Sequence, residues 1–130
     1  MVAITEALRD EVKHLGIAVT IIEPGYFRTT FLGAGAKITT KKVINDLKPV
    51  MDPLRSTFEM YNGKQPGDPV KGAKLIVEAL KGAGQCANRI LPARLAIGSD
   101  AVDVIAGILE NEKKDLEAWK DLSVTTDHDK

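Results

Sequence analysis

The chain has 130 residues, enough for one domain, of which 44% are hydrophobic and 28% charged. Lys+Arg and Asp+Glu number 18 each, so the formal net charge is zero, which argues against a nucleic-acid binder that gains its affinity by neutralising phosphates. A single cysteine, Cys86, excludes an internal disulfide and a cysteine-based zinc cluster, and no stretch reaches the roughly 20 apolar residues of a membrane span.

The chain opens on an amphipathic segment. Ile4, Leu8, Val12 and Leu15 recur at helical spacing with Ala7 beside them, while Glu6, Arg9, Asp10, Glu11 and Lys13 take the other face. Gly16 is placed to end this helix in a left-handed cap. Charge enters from Glu6 onward, so the segment has no secretory apolar core, and a cytoplasmic protein is expected.

Ile17 to Ile22 is a nearly continuous β-branched run without clean alternation, the pattern of a parallel strand covered on both faces. Pro24 cannot donate to a ladder, and the strand is expected to stop there. Residues 30–66 read as a helical excursion or lid. Gly33 and Gly35 loosen its start, and Val43, Ile44 and Leu47 suggest one short helix. Leu54, Phe58 and Met60-Tyr61 suggest another, with Pro49 and Pro53 breaking the stretch between. The basic residues Lys41-Lys42 and Lys48 read as a solvated face.

Asp68-Pro69 signals a helix start, with Asp as N-cap and Pro in the first turn. Ala73, Ile76, Val77 and Leu80 form the expected inner stripe, and Gly82 or Gly84 ends the helix. Arg94 to Ile97 is the second strand candidate. Ser99 or Asp100 is expected to cap a last helix with inner face Val102, Ile105, Leu109, Leu116 and Trp119, and the polar tail from Ser123 to Lys130 should fray. Helix, strand, lid, helix, strand, helix argues for α/β with parallel strands. Two parallel strands have little independent stability, so the chain reads as part of a larger sheet.

Four ordered motifs carry a resemblance. Thr5-Glu6-Ala7-Leu8-Arg9-Asp10-Glu11 precedes Val19-Thr20-Ile21-Ile22, which runs into Pro24-Gly25-Tyr26-Phe27-Arg28-Thr29. Tyr61-Asn62-Gly63-Lys64-Gln65-Pro66-Gly67-Asp68-Pro69 comes next, and then Leu91-Pro92-x-Arg94-Leu95-x-x-Gly98-Ser99-Asp100-Ala101. Together, from Val2 to Trp119, they resemble the C-terminal half of a short-chain dehydrogenase/reductase.

The resemblance implies an α/β fold: the C-terminal portion of a Rossmann-like doubly wound parallel sheet, about two strands with flanking helices, as one partial domain over residues 1–130. It implies an NAD- or NADP-dependent oxidoreductase that exchanges hydride with a small carbonyl or alcohol substrate. The cofactor-binding residues it marks are Pro24, Gly25, Tyr26, Phe27 and Thr29. The backbone at Gly25, Tyr26 and Phe27 would face the nicotinamide carboxamide, and the Thr29 hydroxyl would hydrogen-bond it. The alternative is a plain strand-to-loop turn with Thr29 capping a helix. Phe31, Leu32, Met51, Phe58 and Met60 could line a substrate pocket or pack the lid onto the body, and Arg28 could meet a phosphate, a carboxylate or solvent.

The family's catalytic Tyr-x-x-x-Lys is absent. Tyr26 is followed four residues on by Thr30 and Tyr61 by Gln65, and the family register puts the lysine a few residues before Met1. The Gly-x-x-x-Gly-x-Gly phosphate loop is absent too: Gly63 and Gly67 have the first spacing, but Pro69 takes the third place. Gly82-Ala83-Gly84-Gln85-Cys86-Ala87 fits Gly-x-Gly-x-x-Ala but follows a helix instead of a strand, so it reads as a helix terminator. No catalytic residue and no metal ligand is expected. Two functions stand: a partial oxidoreductase, inactive alone and poor at binding its cofactor, or a non-catalytic module that associates through its C-terminal helices.

Overall fold

The computed structural model describes residues 2–33, 36 and 43–128. Gly35 and Lys41-Lys42, expected as a loose turn and a solvated face, lie outside them. Among the described residues the elements are α1 (Val2–Val12), β1 (Ile21–Pro24), α2 (Lys48–Tyr61), α3 (Pro69–Lys81), β2 (Arg94–Ile97) and α4 (Ser99–Ser123), joined by short 3-10 turns. The two strands pair in parallel, with Ile21 opposite Arg94 and Pro24 opposite Ile97. This is the α/β arrangement expected, a two-stranded parallel sheet with flanking helices.

The first strand starts later than its composition suggests. Residues 17–20 carry the β-branched run, yet the ladder begins at Ile21 because its partner offers only four residues. The strand ends at Pro24, as expected, with the proline as its last ladder position. Ile21 and Gly25 donate their N–H groups to Ala93 and Ile97 carbonyls at 2.8 Å each. Alternate residues of a parallel strand point their donors to opposite sides, so position 24 needs no N–H toward β2. Its missing donor falls on the open edge of β1.

Each helix start and stop has a local cause. Gly16 ends the first helical segment with φ +72°, its N–H reaching the Lys13 carbonyl at 3.0 Å. Asp68 caps α3, its carboxylate accepting from the Val70 and Lys71 N–H groups at 2.8 and 3.2 Å. Gly82 closes α3 in the left-handed region, so the Gly-x-Gly decoy is a terminator. Among the described residues of the lid, expected as two helical pieces, a 3-10 turn at Asn45–Leu47 leads directly into the 14-residue helix α2. Pro49 sits in its first turn, where no donor is needed. Pro53 removes only one rung of the ladder, and the helix continues through it. The tail is also more regular than expected: α4 runs to Ser123 and a 3-10 turn covers Val124–Thr126.

Packing departs furthest from the expected pattern. The inner face of α3 is turned toward Gly72, which is buried, and Leu75, Ile76 and Ala79, while Val77 and Leu80 stand 49% and 58% exposed. On α4 only Ile105 of the expected stripe is half-covered; Val102, Leu109, Leu116 and Trp119 are more than half exposed. Ile4 and Leu8 of α1 are also exposed, Ile4 at 75%, while Val2 and Val12 are half-buried. Among the described residues the buried hydrophobic core is Ile97 alone. The chain exposes 10865 Å², where a folded monomer of 14.1 kDa exposes about 6,700 Å². Its helices thus carry apolar faces that this sheet is too narrow to cover.

Polar contacts tie the strands and helices together. Arg94 forks onto Glu23, Nε to Oε2 at 2.9 Å and Nη2 to Oε1 at 2.8 Å, on one sheet face. Arg9 of α1 donates to the Val19 and Leu91 carbonyls at 3.1 and 3.4 Å, at the entrance to both strands. The bond from Arg94 holds the Glu23 carboxyl below its ordinary value of 4.5, against the opposing effect of desolvation. A depressed carboxylate stabilises the fold above its unfolded value and loses that contribution as pH falls through its folded one. Thermal midpoints should therefore drop as pH is lowered below about 4.5. Glu23→Gln should be less stable at neutral pH and should flatten that acid slope. An unchanged slope in the variant would remove Glu23 as its source.

Candidate functional site

The exit of β1 is where the sequence-marked residues meet. Each is held by an identifiable contact. Pro24 closes the strand opposite Ile97. Gly25 extends the ladder by one bond to the Ile97 carbonyl, and a Cβ there would overlap the Asp100 carboxylate. Glycine is required at this point by close approach. The Tyr26 N–H donates to Asp100 Oδ2 at 2.5 Å, and its carbonyl accepts from Gly67 N–H at 3.0 Å. The Phe27 backbone forms an isolated parallel bridge with Gly67, and the Arg28 N–H continues it to the Gly67 carbonyl at 2.8 Å.

The Phe27 ring is seated against two glycines. A Cβ on Gly72 would come 2.5 Å from Cε1 of the ring, and one on Gly67 would come 2.7 Å from Cδ1. Phe27 therefore contributes its side chain to packing against α3. Thr29 caps the 3-10 turn Thr30–Leu32, its Oγ1 accepting from the Phe31 N–H at 3.3 Å. That bond engages a lone pair and leaves the hydroxyl hydrogen as a donor. The N–H groups of Gly25, Tyr26, Arg28 and Thr29 all have internal acceptors. Among the described hydrogen bonds, the Phe27 N–H has none.

Asp100 was expected as a helix cap, and the structure gives it another task. α4 begins after Gly98, whose φ is +101°, and no side chain caps it. The Asp100 carboxylate instead leaves the helix end for the β1 exit. Oδ2 takes the Tyr26 N–H, and Oδ1 is buried without a partner. Sequence reading missed this pairing because residues 26 and 100 are 74 positions apart. The available signal was topological: in a parallel pair the exits of both strands lie side by side.

Arg28 is anchored to the return segment after α2. Its Nε and Nη2 donate to the Gln65 carbonyl at 3.2 and 3.0 Å. Tyr26 stacks edge-to-face on Tyr61, with ring centroids 5.5 Å apart. Of the proposed pocket-lining residues, Phe31 is 77% exposed and Met60 66%, while Leu32 and Phe58 are half-buried. A cavity of about 220 Å³ lies between the starts of α3 and α4, floored by Phe27, Leu75 and Ile97 and edged by Lys71 and Ser99. Among the described residues no group of three or more His, Cys, Asp or Glu could hold a metal ion. Cys86 is half-buried in the turn after α3.

Comparison with known proteins gives this geometry a context. No family model matches the chain. A crystal structure of a short-chain dehydrogenase from Streptomyces avermitilis superposes with a TM-score of 0.75 at 36% identity, over 98% of this chain and 43% of that one. The chain resembles the C-terminal half of a short-chain dehydrogenase. Oxidoreductase BOA17 of Botryotinia fuckeliana (strain B05.10) is 26% identical over 119 residues, 92% of this chain and 40% of that protein. The chain thus spans about two fifths of the length of these relatives. No described helix is long and apolar enough to cross a membrane.

Proposed function

We propose that this chain forms the C-terminal part of an NAD(P)-dependent oxidoreductase of the short-chain dehydrogenase type, and that it is inactive until an N-terminal half completes it. The observation that carries this reading is the surface. The chain exposes roughly 4,000 Å² more than a folded monomer of its mass. A standard protein interface covers only about 800 Å² per partner. An excess of this size fits a missing half-domain better than it fits a second copy. The open edge of β1 and the apolar faces of α1, α3 and α4 are the surfaces such a half would cover.

In this reading Pro24, Gly25, Tyr26, Phe27 and Thr29 form the nicotinamide edge of the completed site. Ligands of open α/β sheets bind beyond the strands' carboxyl ends. The Phe27 N–H and the Thr29 hydroxyl are donors there without described acceptors, and both suit a carboxamide oxygen. The nicotinamide, when bound, supplies or accepts the hydride. Gly25 and Asp100 hold the turn so that these donors face outward. The chain has no glycine-rich loop for the pyrophosphate and no tyrosine–lysine pair for proton transfer, a step commonly worth a rate factor of about 10²–10⁴. A small carbonyl or alcohol substrate and a cytoplasmic location belong to the same reading.

Titration of the isolated chain with NADH and with NADPH in a calorimeter tests it. Heats of dilution alone are expected up to millimolar cofactor. Saturable binding in the micromolar range would overturn the proposal.

A second reading is association without catalysis through the C-terminal helices. Val102, Leu109, Leu116 and Trp119, exposed along α4, favour it. Sedimentation at several concentrations separates the two: a stable homodimer that stays soluble without an N-terminal half supports association.

A further inference from the structure

The lid helix α2 is poorly attached along its length. All of its residues are exposed except Phe58 and Tyr61, which are half-buried. Val50, Met51, Leu54 and Met60 face solvent. The return segment after α2 is held far more tightly. Gln65 is 1% exposed, the most buried side chain among the described residues. Between them stands Gly63 with φ +78°, a backbone state that glycine adopts without strain.

Three consecutive residues of the β1 exit grip this return segment. The Tyr26 ring meets the Tyr61 ring edge-to-face. The Phe27 backbone bridges Gly67. The Arg28 guanidinium places two donors on the Gln65 carbonyl, a charge-assisted arrangement stronger than a neutral hydrogen bond. The grip is therefore at positions 61, 65 and 67, at the C-terminal end of α2 and just after it.

We infer that Tyr26 and Arg28 are positioning residues that set the lid helix α2 against the β1 exit. One side of residues 26–28 holds the lid's return, and the other presents the Phe27 N–H. The test of this grip needs no cofactor.

Amide hydrogen exchange on the full chain reads the grip directly. Arg28→Ala should speed exchange across residues 50–65 by about tenfold, because local opening tracks the contacts that hold a segment. Exchange in β1 and β2 should stay unchanged. Arg28→Lys, which keeps the charge but not the fork, should fall between. Tyr26→Phe keeps the ring and should match the parent chain, while Tyr26→Leu should loosen α2. Equal α2 exchange in the parent and Arg28→Ala would overturn the inference. So would β1 and β2 loosening in step with α2, since the residues would then merely support the fold. The calorimetric titration can fail or succeed independently of this result.

Discussion

Gly72→Ala should destabilise the chain by up to about 2.5 kcal/mol, although the substitution favours a helix. Gly72 lies within α3, where alanine normally gains about 0.5–1 kcal/mol over glycine. The added methyl would come 2.5 Å from Cε1 and 3.0 Å from Cζ of the Phe27 ring. Overpacking of this kind costs about 1–3 kcal/mol, so the clash outweighs the helical gain. The ring has little room to retreat, because Gly67 closes its other side. Phe27→Leu should also destabilise, through lost ring contacts. The double variant should recover part of the sum, since the smaller side chain leaves space for the methyl. Urea denaturation of the four proteins measures the cycle. Strict additivity would show that Phe27 and Gly72 are not in contact.

The second large effect is expected at Asp100. Asp100→Ala removes the acceptor of the Tyr26 N–H, and hydrogen bonds to charged groups contribute about 1.5–3 kcal/mol. The carboxylate also sits in the first turn of α4, where negative charge is favoured by about 0.3–1 kcal/mol. Partial exposure of Tyr26 and the unpartnered Oδ1 both reduce the loss, so about 1–2 kcal/mol is expected. Asp100→Asn keeps an oxygen acceptor and loses the charge, and should fall between the parent and Asp100→Ala. Gly25→Ala should behave like Asp100→Ala, because its Cβ would expel the carboxylate. An Asp100→Ala chain as stable as the parent, with an equally protected Tyr26 amide, would show that the carboxylate does not hold the turn.

The candidate site was legible in unequal parts. Pro24-Gly25 and Thr29 stood out because proline and glycine punctuate a chain in recognisable ways and because the surrounding motifs come in order. The cap at Asp68 and the terminator at Gly82 were equally local. Asp100 and Gln65 were not legible: each acts on a residue far away in sequence, 74 positions for Asp100 with Tyr26 and 37 for Gln65 with Arg28. Arg28 could be read as a phosphate ligand because its charge is visible in sequence and its neutral backbone partner is not. The seat of the Phe27 ring was not legible either, because it is set by two glycines, Gly67 and Gly72, far along the chain.

The sequence by itself determined the order of elements, the cap at Asp68 and the terminators at Gly16 and Gly82, the parallel α/β class and the absence of a Tyr-x-x-x-Lys pair. Those properties depend on residue types within a turn or two of each other, where hydrogen-bonding chemistry and periodicity act. Tertiary structure decided which faces are inside. The ladder shortened to four residues because β2 is that long. The inner face of α3 followed Gly72 and Phe27 instead of its most apolar stripe. The stripe of α4 stayed in solvent because two strands cannot cover it. Burial is a property of what lies opposite, and helical periodicity states only that a face needs a partner.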